Sequence, residues 1–139
     1  MKVEYLLKVG GIYNILCGLL HVIGPKVQKW NLILPTIPDN VRSSIEINLY
    51  IMNWCLVIFW LILGYITLRH TSELMKPGLG RTLLVSIVIF WIIRIFVLQP
   101  VYMGMQDPRS WRMIGFFLVG LFLFAVPFIA SFKNEKDTR

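Results

Sequence analysis

The chain has 139 residues, of which 57% are hydrophobic, and a formal net charge of +7. A domain of that length cannot hide so much apolar surface in a water-soluble core, and the mean hydropathy of +0.70 places it in the membrane class. The basic residues stand at the ends of apolar runs rather than on one face, which argues against nucleic acid and for anchors beside lipid headgroups.

The first apolar run covers about residues 5–23. Lys8 and Asn14 interrupt it, and no small-x-small cleavage site follows His21, so it reads as a retained span and not a removable signal. Gly10, Gly11, Asn14, Gly18 and His21 recur at steps of three and four and share one helix face. Small residues let backbones approach and Asn hydrogen-bonds across such contacts, so this face is expected to meet protein, with Leu16, Leu19, Leu20 and Ile23 toward lipid.

The link at 24–44 holds Pro25, Pro35 and Pro38, which rule out one continuous helix. Its middle, from Val27 to Leu34, mixes cations, Trp30 and aliphatics, as segments lying on the membrane surface do. Asp39, after Pro38, is placed to cap the second helix. In the second apolar run, about 45–68, Glu46, Tyr50, Asn53, Val57, Trp60 and Gly64 form a stripe expected to point inward.

The third run, about 79–101, carries Arg94 within an apolar, bilayer-length helix. A charge there costs about 2.5–3.5 kcal/mol on insertion scales and needs an answer from protein, water or a snorkelling path; a cation–π contact with Trp91, three residues earlier, is one such path. The fourth run, about 111–132, follows Asp107 and Pro108, an N-cap with proline at the first helical position. It bears a stripe of Phe117, Leu121, Phe124 and Phe128 that suits packing or lipid better than a cofactor; Gly120 can seat a neighbour and Pro127 can kink the helix.

These runs predict an all-α polytopic membrane protein: one domain over 1–139, its four transmembrane helices forming an antiparallel bundle. Lys2, Lys8, Arg69, Lys76, Arg81, Lys133, Lys136 and Arg139 then share the side of the termini, against Lys26, Lys29, Arg42, Arg109 and Arg112 opposite. This excess sets both termini in the cytoplasm of a cell with an inner membrane, with Trp30, Tyr102 and Trp111 at the outer interface. At 1.5 Å of rise per residue, Arg94 lies about 20 Å from Arg81, Asn53 about 24 Å from Arg69 and His21 about 20 Å from Lys8. The expected constellation is therefore Arg94 with Asn53, His21 and Tyr50, and Glu46 at its mouth. It reads either as structural glue or as a ligand site.

Other chemistries find little support. Cys17 and Cys55 lie in apolar runs and lack the electropositive, exposed setting of reactive thiols. His21 and His70 fall at opposite ends of the spans, which rules out a bis-histidine haem, and no zinc, phosphate-loop, dinucleotide or nucleophile-elbow motif is present. No cofactor, metal or catalytic residue is predicted.

The pattern from Gly18 through His21 to Trp30, with Leu79, Gly80, Arg81 and then Phe90, Trp91, Arg94 and Gln99, resembles a group of short bacterial four-helix membrane proteins without an assigned function. Gly18, His21, Pro25 and the turn at Leu34, Pro35 and Pro38 are similar to the DoxX-like four-helix family, whose later helices do not carry over. Small multidrug transporters share the helix count, but their essential first-helix glutamate has no counterpart between Tyr5 and Ile23. The resemblance implies a four-helix fold and a bacterial inner membrane, and no activity. The expected function is a non-catalytic accessory or scaffold subunit, in contact with membrane lipids and with a membrane partner or a second copy. The alternatives are a binding or carrier protein for a small amphiphile, lipid or quinone, and a membrane oxidoreductase component.

Overall fold

The structure is a computed structural model that describes residues 3–103 and 108–136, with side chains over 3–101 and 109–132. Among these residues every regular element is helical. Four stretches are long and apolar enough to cross a membrane: Val3–Thr36, Asp39–Arg69, Leu79–Val101 and Arg109–Phe132. The chain is thus all-α and built to span a bilayer several times. The cap expected of Asp107 and the anchors expected of Lys2, Tyr102, Lys133, Lys136 and Arg139 fall outside the described residues and side chains. Contacts divide the chain into two compact units, residues 12–65 and residues 1–11 with 66–139. Helices α1 (Val3–Val27) and α3 (Asp39–Arg69) contribute to both.

In the unit of residues 12–65, α1 runs past the expected end of its span and carries Pro25 inside its last turn. It stops at Lys29, whose φ of 55° is left-handed, a conformation that turns the chain at the cost of Cβ crowding. A short helix α2 (Trp30–Ile33) and a 3-10 turn (Leu34–Thr36) follow. Helix α3 starts earlier than its apolar run, because the polar turn from Asp39 is helical too. Asp39 is its first residue, not its cap; the Pro38 carbonyl accepts the first amides, from Val41 and Arg42, and the Asp39 carboxylate pairs with Arg42 at 2.7 Å. The same guanidinium donates to the Pro35 carbonyl at 2.9 Å and to the Ile37 carbonyl at 2.8 and 3.1 Å. Arg42, expected as a lipid anchor, instead ties the proline-rich link to α3.

Of the face predicted on α1, Asn14 and Gly18 are buried in this unit and His21 is half-buried; Cys17 is buried beside them, while Leu16, Leu19, Leu20 and Ile23 are exposed. Gly18 is needed for close approach: a Cβ there would stand 3.3 Å from Trp60 Cβ and from the Leu61 side chain. Val57, Trp60 and Gly64 on α3 are buried as expected.

The other unit combines residues 1–11 and the end of α3 with α4 (Thr71–Leu74), α5 (Leu79–Ile93), α6 (Gln99–Met103) and α7 (Pro108–Lys136). Its core is Leu7, Leu74, Leu84, Trp91 and Phe124. The chain turns into α5 at Gly78, whose φ of 88° only glycine adopts readily. In the preceding link, the backbone N–H of Glu73 and the Ser72 hydroxyl hold the exposed Glu73 carboxyl below its ordinary range. Gly120 seats Trp91, since a Cβ at that position would lie 2.7 Å from the indole ring. Between α5 and α6 the helix widens into a π turn over Arg94–Leu98, closed by the Gln99 amide on the Arg94 carbonyl. Pro100 explains it: with no N–H to give Phe96 and a ring that crowds that carbonyl, it prevents a regular α turn.

Candidate functional site

In an α-helix the amide of residue 25 would bond the carbonyl of residue 21, and proline has no such amide. Pro25 therefore cannot give the His21 carbonyl the usual helical bond, in an apolar span where a carbonyl needs a donor. Asn53 supplies the missing bond: its Nδ2 donates to the His21 oxygen at 3.0 Å. Gly24 lies alongside, with Asn53 Oδ1 3.7 Å from where a Cβ would stand, an ordinary contact distance. Two members of the expected constellation are thus brought together, but through the backbone of His21.

Tyr50 and Glu46 lie one and two turns before Asn53 on the same side of α3. Tyr50 does not point into a core as expected: it is 38% exposed and meets the Trp30 ring edge-on at 5.4 Å. Trp30, the first residue of α2, offers the indole at that level. Glu46 is half-buried. Asn14, expected to bond across a helix contact, is fully buried, and neither of its carboxamide atoms has a hydrogen-bond partner among the described residues.

Arg94 belongs to the other unit. It is half-buried at the head of the π turn, with its guanidinium 4.9 Å over the ring of Phe117. This ring is on α7, and Trp91 packs against the same phenylalanine at 5.9 Å. A cation over an aromatic face is favourable by about 0.5–2 kcal/mol, more as water is excluded, and this offsets part of the insertion cost. Sequence reasoning assigned no role to Gln99, buried directly after this turn, or to Ser110, buried at the start of α7. For Gln99 the signal was Pro100, the next residue, which interrupts the apolar helix.

Chemically, the described residues offer hydrogen-bond donors, one intramembrane cation and aromatic faces. No group of three or more His, Cys, Asp or Glu side chains that could hold a metal occurs among them, and neither cysteine is in a disulfide. No protein-family model, curated protein or solved structure matches the chain.

Proposed function

We propose that this chain is a non-catalytic accessory or scaffold subunit of a bacterial inner membrane, its four spans forming an antiparallel bundle with both termini in the cytoplasm. The observation that carries this reading is the bond from Asn53 to the His21 carbonyl, which the Pro25 ring nitrogen cannot serve. It gives a polar intramembrane side chain a structural task, as Phe117 does for Arg94. Contacts of Arg81 with Ser131, Trp91 with Gly120 and Arg94 with Phe117 support the antiparallel order of the last two spans. No more than 44% of any span's apolar window is buried within the chain, which leaves a large surface for lipid, a partner or a second copy. Photo-crosslinking from Ile58, exposed on α3, should trap one discrete protein adduct in native membranes. Crosslinks to lipid alone would contradict the scaffold role. For orientation, a cysteine at Lys136 should react with an impermeant thiol reagent only after the inner membrane is opened, and one at Gln28 in intact cells. The reverse pattern would invert the topology.

A second reading, a carrier for an anionic or carbonyl-bearing amphiphile, is favoured by the π turn at Arg94, since such turns recur at binding sites. In that case native mass spectrometry from native-lipid extracts should find an adduct on the wild type that Arg94→Leu lacks. An unchanged adduct on the variant removes this reading.

A further inference from the structure

Where α5 begins and α7 nears its end, Gly78, Arg81, Thr82, Val85, Phe128 and Phe132 line an open groove with a cavity of about 260 Å³. Everything in it belongs to one unit of the chain. Its cation is held in place: Arg81 Nη2 donates to the Ser131 carbonyl at 3.0 Å, and the guanidinium lies 4.3 Å over the Phe132 ring. Phe132 in turn meets Phe128 edge-on at 5.1 Å. The Thr82 hydroxyl donates to the Gly78 carbonyl at 3.1 Å, so it shapes the wall. Arg81 is the one ionisable side chain of the lining; the rest of the wall is largely apolar.

The position of the groove decides what it can take. The two apolar spans that form it start at Leu79 and finish at Phe132, so Arg81 stands at the level of lipid headgroups. Val85 lies one turn deeper, about 6 Å further into the hydrocarbon. A cation at the boundary with an apolar channel running inward from it complements a phosphate attached to an acyl chain. A choline or ethanolamine ammonium would sit beside the guanidinium with like charge, whereas a glycerol headgroup adds no cation. We propose that this groove is a binding site for an anionic phospholipid, with its phosphate on Arg81 and the start of one chain against Val85 and Phe128. The assignment does not depend on the scaffold reading.

The test is native mass spectrometry of the full chain from micelles carrying equal amounts of phosphatidylglycerol and phosphatidylcholine. The wild type should carry the glycerol lipid in roughly fivefold excess, the effect of one basic residue at an anionic surface. Arg81→Gln should bring the two lipids to parity. Val85→Trp, which fills the channel and leaves the cation, should also lose the excess, and it decides the matter if Arg81→Gln does not fold. Millimolar inorganic phosphate should leave the lipid adduct in place. Equal adducts on the wild type, an excess that survives in folded Arg81→Gln or in Val85→Trp, or displacement by inorganic phosphate would overturn the proposal.

Discussion

Single polar side chains in this protein repair backbone defects that prolines create. Arg42 shows this outside the hydrocarbon, where its fork reaches the Pro35 and Ile37 carbonyls and the Asp39 carboxylate together. Planar, divergent donors suit that task and a lysine ammonium does not. Because the Arg42 side chain is 34% exposed, the bonds are partly screened, and Arg42→Ala should cost about 1–2 kcal/mol in detergent melting. It should also speed amide exchange across residues 34–41. Arg42→Lys should recover little of either. A lysine variant that melts like the wild type would mean that charge alone holds the link.

At the scale of elements, the π turn begins at Arg94, the residue whose cation meets α7. Pro100 forbids the regular turn, the Arg94 carbonyl takes the Gln99 amide, and the guanidinium comes over Phe117. The contact between α5 and α7 therefore combines aromatic packing on Gly120 with a charge on a ring. Phe117→Leu should destabilise the wild type, and by about 1 kcal/mol less when Arg94 is already methionine. Additive losses would reduce Phe117 to packing. This geometry was only partly legible beforehand. The intramembrane cation and the seat at Gly120 show as residues out of place in an apolar run, but Phe117 as a ring under Arg94 depends on how α7 packs on α5, which the periodicity of one helix does not carry.

For the whole molecule, the four apolar stretches were legible because span length and hydropathy are local properties. So were the faces of α1, since Gly18 and Leu19 differ in what they tolerate as neighbours. The end of α1 was not. Read alone, Pro25 closes a helix; in the structure Asn53, which follows it at a distance along the chain, supplies the donor that lets the helix continue. Spacing alone assigns Tyr50 inward, and its neighbour Trp30, twenty residues earlier, shows only in the fold. The central claim is that Asn53 serves the backbone, supplying the His21 carbonyl with the donor that Pro25 lacks. Its most direct test is a double-mutant cycle of Pro25→Ala and Asn53→Leu, read by melting in detergent. With proline at 25, Asn53→Leu should cost about 1–3 kcal/mol, because a carbonyl is stranded in an apolar span. With alanine at 25 the restored amide takes that carbonyl, and the same substitution should cost less than about 0.5 kcal/mol. Equal costs in the two backgrounds would contradict the account.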